Sequence, residues 1–327
     1  MNTRKKITVG ILGGGPSSEH VVSLATARNV HRAIDHAKFT PTLLTFTKNR
    51  ELFAGKKKLV FPSDLKQFDI IFNALHGTFG EDGQIQKILD RIRVPYTGAL
   101  AKASALGMDK WKSRRAFLRA GLHVPRAILI KKMPRSSLYF SFPLVLKPRN
   151  GGSSVGVSIV STQSELLRSL PKILKTDDVL IEEYIRGREL TCAVLEKNGK
   201  LITLPVIEIR PKPKYAFFDY EAKYKSGASE ELVPAPIPRA LAKKVERATL
   251  AAHRAIGASV YSRSDFIARN GDFYILEINT LPGLTANSLL PKAAQAAGIS
   301  FTKLITLIIN ASFHVKKILT VSQRRLK

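Results

Sequence analysis

The sequence predicts a mixed α/β protein whose N-terminal part is a parallel α/β unit and whose C-terminal half is α+β. The N-terminal pattern is a strand, a glycine-rich turn and a helix in direct succession: KITVGIL, GGGPSSE and HVVSLATARNVHRAI. Further along, FPLVLKPRNGGSSVGVSIV has the pattern of two strands joined by a glycine-rich loop. Asn198-Gly199 and Asn270-Gly271 each separate two apolar runs, which is typical of tight β-hairpins. Alternating strands and helices therefore give way to antiparallel pairing along the chain.

Three apolar runs define the N-terminal unit, which we place at residues 1–98. The strand KITVGIL is followed by a second strand, PTLLTFT, and by a buried third, FDIIFNAL, which runs into HGTFGEDG. The helix GQIQKILDRI comes next, and the unit ends near Gly98. Parallel sheets present their ligand-binding loops at the carboxyl ends of the strands, so we expect a site at that edge.

Two further units and a tail are expected. Residues 99–186 contain the helix MDKWKSRRAFLRAGL, the glycine-rich loop, the helix QSELLRSLPKIL and the strand DVLIEEYI. Residues 187–313 hold the antiparallel strands, and residues 314–327 form a basic C-terminal tail. Within the third unit, the segment 215–234 has no periodicity and is rich in tyrosine, phenylalanine and lysine. An irregular stretch of that length between regular elements is typical of a functional lid.

The formal net charge of +28 is the largest departure from an average composition. A strongly basic chain can bind nucleic acid or a membrane surface. Here the lysines and arginines are spread along the whole chain, from Arg4–Lys6 to Arg324–Lys327, and are not gathered in one arm or helix. This distribution favours a solvated basic surface that attracts small acidic ligands. Nucleic-acid binding is kept as the alternative.

Cys192 is the only cysteine, so an internal disulfide and a thiolate metal cluster are both ruled out. It lies in the apolar run ELTCAVL, where a buried structural thiol is expected and a nucleophile is not. The apolar run Ile7–Leu12 is short and is followed by three glycines and a proline, which does not fit a secretory signal. No uncharged stretch approaches the roughly 18–20 apolar residues of a membrane span. We expect a cytoplasmic protein with no membrane association.

Two familiar nucleotide-binding patterns are absent from the sequence. In GGGPSSE, Ser18 stands where a dinucleotide fingerprint has its third glycine, and no Walker A pattern occurs anywhere. A different kind of phosphate site is suggested by VLKPRNGGSSVGVS, where Lys147 precedes the Gly-Gly-Ser-Ser run at 151–154. The backbone N–H groups of such a loop form an anion-binding concavity beside the lysine. A simple surface hairpin is the alternative, and the loop alone does not distinguish the two.

The segment RNGDFYILEINTLPG, residues 269–283, favours the phosphate site. A two-residue hairpin loop would place Asp265 opposite Leu276 and separate the polar side chains. A three-residue loop pairs Asp265 with Glu277 and Arg263 with Asn279, all on one face of the sheet. Two carboxylates and an amide oxygen beside an arginine suit Mg²⁺ that is shared with substrate phosphates. Because unpaired buried acids are costly, we predict a metal site here.

These segments together resemble the D-alanine–D-alanine ligases of the ATP-grasp superfamily. The resemblance covers nearly the whole chain and is carried, in order, by VGILGGGPSSEHVVSL, NALHGTFGEDG, PYTG, MDK, LKPRNGGSSVG, LIEEYI, FFDYEAKY, SRSDF and LEINTLPGLTANSLLP. It implies an ATP-grasp fold with a Rossmann-like N-terminal domain, a small central α+β domain and a C-terminal antiparallel-sheet domain. It also implies a reaction for peptidoglycan synthesis: ATP phosphorylates the carboxylate of one D-alanine, and the amine of a second D-alanine attacks the acyl phosphate.

The resemblance also implies roles around the first substrate and the attacking amine. Glu19 would hold the ammonium group of the first D-alanine, and His76 would lie near its carboxyl group. Glu19, Ser153 and Tyr224 would form a hydrogen-bond network around the amine of the second D-alanine.

A second implied group would bind the intermediate and the second substrate. Arg263 and the N–H of Gly283 would stabilise the tetrahedral oxyanion, a task that needs fixed donors in a dry site. Ser288 and the N–H of Leu289 would bind the carboxylate of the second D-alanine.

The implied nucleotide site contains phosphate-binding cations, the adenine-binding segment and a ribose ligand. Its residues are Lys110, Lys147, Ser154, Glu182, Glu183, Tyr184, Ile185, Glu189, Phe217 and Lys223. Asp265, Glu277 and Asn279 would hold two Mg²⁺ ions, for which Mn²⁺ is able to substitute. Closure of the 215–234 lid would exclude water, which otherwise hydrolyses an acyl phosphate.

Two features depart from the family pattern. Family members usually have Glu-His-Glu-Val-Ser after the first glycines, whereas here Val21 follows His20. The strong basicity and the tail HVKKILTVSQRRLK are also atypical, and they bear on whether there is a further anionic partner. Because Glu19 is retained, we expect activity to be retained as well.

Two alternatives stay open alongside this function. The first is a ligase that uses D-lactate or D-serine as its second substrate, although Tyr224 favours an amine nucleophile. The second is a basic nucleic-acid-binding protein on an inactive scaffold. Retention of Lys147, Asp265, Glu277 and Asn279 argues against it. A homodimer is consistent with the sequence, which does not define the oligomeric state.

Overall fold

The computed structural model describes residues 5–134, 140–152, 155–212, 229–285 and 287–325. The strands in these ranges form an N-terminal, a central and a C-terminal sheet, which follow one another along the chain. The N-terminal sheet has five strands in the order β4-β3-β2-β1-β5. Its strands are β1 (Ile7–Gly14), β2 (Phe39–Phe46), β3 (Leu52–Ala54), β4 (Lys57–Leu59) and β5 (Ile70–Asn73).

The pairing in the N-terminal sheet is partly parallel. β1 lies between β2 and β5 and pairs with both in parallel, as the sequence predicts. β3 and β4 depart from the wholly parallel unit, because they add an antiparallel hairpin beside β2. Lysines at positions 56–58 mask the apolar alternation of this short hairpin in the sequence.

Residues 5–120 contain four α-helices: α1 (His20–Ala33), α2 (Gln84–Arg91), α3 (Ala101–Met108) and α4 (Lys110–Arg119). α1, α2 and α4 lie where the sequence predicts helices, and α3 is an addition. Asp109 caps α4 by accepting a hydrogen bond from the N–H of Lys112 (3.1 Å). The cap makes Lys110 the first residue of the helix, beside the glycine-rich loop.

The central sheet is antiparallel throughout, in the order β6-β9-β7-β8. Its strands are β6 (Ala127–Ile130), β7 (Leu144–Pro148), β8 (Ser158–Val160) and β9 (Val179–Glu183). Helix α5 (Gln163–Leu174) packs Leu166, Leu170 and Ile173 against it. A capping box begins this helix: Thr162 accepts from the N–H of Glu165, and Glu165 accepts from the N–H of Ser161.

The C-terminal sheet has the order β13-β12-β10-β14-β15, and β11 also pairs with β10. Its strands are β10 (Arg188–Lys197), β11 (Lys200–Thr203), β12 (Ile207–Pro211), β13 (Ser229–Leu232), β14 (Tyr261–Arg269) and β15 (Asp272–Asn279). The predicted Asn198-Gly199 turn joins β10 to β11 with positive φ at both residues, as a type I′ turn requires. β13 falls inside the segment predicted to be an irregular lid, so residues 229–232 of that segment are regular.

Three more helices complete the described chain: α6 (Arg239–Ala255), α7 (Leu289–Ala296) and α8 (Phe301–Arg325). Among the described helices, none is by itself long and apolar enough to cross a membrane; α7 and residues 301–315 meet the criterion only as a pair bent by 104°.

One apolar core joins the two ends of the chain. Val9 and Phe72 of the N-terminal sheet belong to the same buried cluster as Leu195 and Tyr261 of the C-terminal sheet and Ile308 of α8. The central sheet packs in a cluster of its own with α5. This shared core therefore holds the N-terminal sheet beside the start of β14 and beside α8.

His253 on α6 is fully buried and bonds through Nδ1 to the hydroxyl of Ser262 (2.7 Å). Its Nε2 has no hydrogen-bond partner among the described residues. Burial, together with the nearby charge of Arg254, lowers the pKa of His253 from 6.5 to about 4. The folded protein therefore holds this imidazole neutral, whereas the unfolded chain binds a proton below pH 6.5.

We expect this histidine to make stability fall as the pH drops from 6.5 towards 4. Between pH 7 and pH 5 this one group should lower the free energy of unfolding by about 2 kcal/mol. Each pH unit between the two pKa values contributes about 1.4 kcal/mol. Urea unfolding of the parent and of His253→Gln at both pH values measures this change. The free energy of unfolding of the variant should fall less between pH 7 and pH 5. His123→Gln, at an exposed histidine, is the control. Equal losses in parent and His253→Gln would contradict the assignment.

Candidate active site

Two adjoining cavities lie where the three sheets meet. The first, of about 340 Å³, is bordered by α1, the loop after β5, the end of β15 and the start of α7. The second, of about 130 Å³, lies between the central and C-terminal sheets. Lys110, Gly152 and Glu277 border both cavities. A ligand in one cavity would therefore meet a ligand in the other at these residues.

The β14–β15 hairpin brings the four predicted polar residues together. Arg263 pairs with Asn279 and Asp265 with Glu277, as the sequence predicts. The predicted three-residue loop is wrong, because Arg269 pairs with Asp272 around a two-residue turn with positive φ at both positions. The pairing shifts instead between Asp265 and Phe266, where Leu276 is the extra residue of a β-bulge. A tight turn and the polar pairing thus coexist.

The Asp265 carboxylate is already held in place. Arg263 donates two hydrogen bonds to it, both 2.9 Å long, and the hydroxyl of Thr191 on the neighbouring strand donates a third of 2.6 Å. The Asn279 side-chain oxygen accepts a bond from the N–H of Leu281 (2.7 Å). These contacts fix the orientation of the oxygens at both ends of the predicted metal site.

The residues present fit a divalent cation that completes its coordination with ligand oxygens. Asp265 and Glu277 border the second cavity, while Glu277 and Asn279 border the first. All three offer hard oxygen donors, and Mg²⁺ is usually bound by one or two carboxylates together with substrate phosphates. Among the described residues, no cluster of three or more His, Cys, Asp or Glu side chains could form an all-protein cage.

Two lysines face the glycine-rich loop and the hairpin. Lys147 at the end of β7 donates to the carboxylate of Glu182 (2.6 Å), and Lys110 donates to the carbonyl of Gly151 (2.6 Å). Burial acts to lower the pKa of Lys147, but the carboxylates of Glu182, Glu277 and Glu189 outweigh it, so the pKa lies above its usual value. Lys147 is therefore a charged ammonium group on the wall of the second cavity.

The predicted adenine and ribose residues line the same cavity. Glu182, Glu183, Tyr184, Ile185 and Glu189 all border it together with Lys147. Glu183 is oriented by Arg126, whose N–H and Nε donate to it at 2.7 and 3.0 Å. The structure thus brings together the described members of the predicted nucleotide site.

The first cavity is bordered by four residues that the sequence analysis assigns to substrate binding: His76, Gly283, Ser288 and Leu289. The His76 ring is held between the Thr26 hydroxyl (2.9 Å) and the Glu81 carboxylate (3.1 Å). The Ser288 hydroxyl accepts a hydrogen bond from the N–H of Thr285 (3.0 Å) and also bonds to the Thr285 hydroxyl (2.8 Å). Both predicted side chains are positioned by neighbours on other segments or turns.

Glu19 does not border either cavity. It lies buried at the start of α1, next to Gly77. A Cβ at Gly77 would come within 2.9 Å of the Glu19 carboxylate, and the φ of +72° there also favours glycine. The structure thus places Glu19 beside the loop that carries His76, and its contact with an ammonium group stays a prediction.

Several predicted residues lie outside the described residues. They are Ser153, Ser154, Phe217, Lys223 and Tyr224, together with residues 215–228 of the predicted lid. Cys192 is described, and it is buried as predicted, with burial raising the pKa of its thiol to about 12.

Three residues of the site are absent from the sequence prediction. Glu81 borders the first cavity and bonds to His76; its position within the HGTFGEDG motif was the available signal. Glu231 borders the same cavity and forms an ion pair with Lys292 on α7. Thr191 supports Asp265 from β10. For the last two the sequence offers no signal, because their partners are 61 and 74 residues away.

Solved structures share this architecture. A D-alanine–D-alanine ligase from Bacillus anthracis complexed with ATP is similar with a TM-score of 0.80 and 35% identity, covering 95% of this chain and 99% of that one. The VanG D-Ala:D-Ser ligase from Enterococcus faecalis gives a TM-score of 0.83 at 28% identity, covering 94% and 100%. With the lysine-flanked loop and the oxygen-ligand hairpin, this likeness places the protein in the ATP-grasp class of nucleotide-dependent enzymes.

Sequence comparison specifies the family. The family model described as D-ala D-ala ligase C-terminus matches residues 124–310, and the corresponding N-terminus model matches residues 8–63 and 54–99. A D-alanine–D-alanine ligase from Halalkalibacterium halodurans is 39% identical over 311 residues, which is 93% of this chain and 98% of that protein. The chain belongs to the D-alanine–D-alanine ligase family.

Proposed function

We propose that the protein joins two molecules of D-alanine to D-alanyl-D-alanine, with ATP as co-substrate and Mg²⁺ as cofactor, for peptidoglycan precursor synthesis. The observation that carries this proposal is the polar face of β14 and β15. It presents Arg263, Asp265, Glu277 and Asn279 at the boundary of two cavities. One cavity has the cations and carbonyls that a nucleotide needs, and the other is large enough for two small amino acids.

In this proposal the second cavity holds ATP. Lys147 and Lys110 bind the phosphates, the backbone of 182–185 holds adenine, and Glu189 binds the ribose. Ser154, Phe217 and Lys223 would complete the nucleotide site. Asp265, Glu277 and Asn279 would hold Mg²⁺, which neutralises charge on the phosphoryl group during transfer.

The first cavity holds the two amino acids. Glu19 and His76 orient the first D-alanine, whose carboxylate accepts the γ-phosphoryl group. The amine of the second D-alanine then attacks the acyl carbon, and phosphate leaves. Arg263 and the N–H of Gly283 stabilise the oxyanion that forms on the attacked carbonyl, because fixed donors act strongly in a site without water.

The start of α7 binds the second amino acid. Ser288 and the N–H of Leu289 receive its carboxylate, which is favoured there by the free N–H groups and the dipole of the helix N-terminus. Ser153 and Tyr224, with Glu19, would form the hydrogen-bond network around its amine. An amine nucleophile is therefore proposed in preference to the hydroxyl group of D-lactate.

We also propose the partners, the compartment and the domain organisation of the protein. Small anionic substrates, and not nucleic acid, are proposed as the partners of the basic surface. The cytoplasm is proposed as the compartment, since ATP is supplied there. The division at residues 98, 186 and 313 is proposed as the domain organisation, with 215–234 as the lid.

A coupled assay of ADP release tests the function. D-alanine is expected to stimulate ADP release well above the rate without an amino acid, whereas L-alanine and D-lactate are not. If D-alanine gives no stimulation, the ligase function is wrong. If a mixture of D-alanine and D-lactate yields D-alanyl-D-lactate as readily as D-alanyl-D-alanine, the proposed second substrate is wrong.

A further inference from the structure

Arg149 clamps the start of the glycine-rich loop between two carboxylates. It follows β7 directly, and its guanidinium group donates to both oxygens of Asp109 (3.0 and 2.8 Å) and to Asp178 (3.0 Å). Asp109 lies at the start of α4 and Asp178 immediately before β9. One side chain thus joins a helix and two strands that are distant in the sequence.

Backbone hydrogen bonds reinforce the same junction. The N–H of Arg149 donates to the carbonyl of Asp178 (2.9 Å), and its carbonyl accepts from the N–H of Lys110 (3.0 Å). The next residue, Asn150, donates through its N–H to the carboxylate of Asp177 (2.6 Å). The loop therefore leaves β7 in a direction set by these contacts.

Beyond the junction, the described part of the loop has little packing of its own. A Cβ placed on Gly151 or on Gly152 would meet no described atom within 4 Å, apart from the chain neighbours. The Lys110 ammonium group nevertheless bonds to the carbonyl of Gly151. The carbonyl of Gly152 also accepts from the N–H of Val155 (3.2 Å). The position of these glycines therefore follows from the clamp, from Lys110 and from this one bond within the loop.

The clamp is charged and partly shielded from water. Asp109 is buried, and although burial acts to raise its pKa, hydrogen bonds from Arg149 and Lys112 bring that pKa below its usual value. A bidentate pair of arginine and carboxylate forms two strong hydrogen bonds that also fix the relative orientation of the groups. A lysine cannot reproduce this geometry.

We propose that Arg149 is a positioning residue for ATP, since each element it joins carries a member of the nucleotide site: Lys110 on α4, Lys147 on β7 and Glu182 on β9. This inference rests on the proposed function, in which both lysines bind phosphates. Arg149 itself borders neither cavity, so it acts by holding the two ammonium groups and the loop at a fixed separation.

Arg149→Met tests the proposal against Lys243→Met, which removes an exposed ion pair with Glu246 on α6. The expected result is a rise of about tenfold in KM for ATP, by analogy with the effect of losing an outer partner of a ligand. KM for D-alanine should stay within about twofold, because the groups proposed to bind D-alanine, such as His76 and Ser288, lie on segments that the clamp does not join. A lower melting temperature with unchanged KM for ATP would show a purely structural role and overturn the proposal.

Asp109→Asn provides a second route, because asparagine keeps the helix cap but loses the ion pair. If Asp109 and Arg149 act as one unit, the double variant should raise KM for ATP no more than Arg149→Met alone. Effects that multiply would overturn the coupling. Should Arg149→Met fail to fold, Asp178→Asn removes one contact of the three, and an unchanged KM for ATP would then count against the proposal.

Hydrogen exchange separates this inference from the function on which it rests. In the protein without nucleotide, the amides of Lys110 and Asn150, both hydrogen-bonded at the junction, are expected to exchange at least about tenfold faster in Arg149→Met than in the parent. This readout does not need turnover, so it stands even if D-alanine fails to stimulate ADP release. Unchanged exchange would overturn the clamp itself.

Discussion

Replacing Glu277 with glutamine is expected to lower kcat for D-alanine-dependent ADP release by at least about 100-fold. Loss of an outer partner of a metal ligand commonly costs about 10- to 100-fold, so loss of a direct ligand should cost no less. Glu277 borders both cavities, and its charge acts on Lys147. The amide keeps the size of the side chain but not its charge. Initial rates over a range of Mg²⁺ concentrations measure the effect.

Glu246→Gln is the matched control for this experiment. Glu246 lies on α6 and pairs with Lys243 at the surface, so its amide variant should keep the rate and Mg²⁺ dependence of the parent. Thermal unfolding of both variants confirms that they are folded. A Glu277→Gln protein with near-parental kcat and the same Mg²⁺ dependence would remove this glutamate from the proposed metal site.

Replacing Arg263 with lysine is expected to lower kcat by about 100- to 1,000-fold, with smaller changes in both KM values. Losing one fixed donor to an oxyanion typically has this effect, because the interaction forms mainly in the transition state. Lysine keeps a positive charge beside Asp265, so the buried carboxylate is not left without a cation. It loses the planar group that makes the two 2.9 Å bonds to Asp265.

Arg188→Lys controls for the loss of a bidentate pair as such. Arg188 binds Glu208 with bonds of 2.6 and 2.7 Å but borders neither cavity. Its lysine variant should have a kcat close to that of the parent. An equal drop in kcat for both variants would mean that the Arg263 effect comes from a general loss of order in the C-terminal sheet.

The β14–β15 hairpin shows which features the residue pattern predicts and which it does not. Alternation along β14 and β15 identifies the polar face, and the pairs Arg263–Asn279 and Asp265–Glu277 are confirmed. Regular pairing forces a choice between a tight turn and this register. The bulge at Leu276 allows both, and a bulge depends on packing with the neighbouring strands, which the local sequence does not express.

The same limit explains the missing residues of the first cavity. Glu231 on β13 meets Lys292 on α7, and Thr191 on β10 meets Asp265 on β14. Each pair joins segments that are distant in the sequence. Their contact exists only because the sheets and helices pack in one arrangement, so no spacing rule could have found it.

Residue order alone determined which chemical groups this protein has: the lysine before the glycine-rich loop, the carboxylates and amide of the last hairpin and the serine before α7. Tertiary structure decided how they are paired. Lys147 bonds to Glu182, Arg263 donates two hydrogen bonds to Asp265, and Glu19 lies buried next to Gly77. The physical reason is that turn and strand patterns are local, whereas the partner of a buried charge comes from whichever distant segment the core brings within hydrogen-bonding distance.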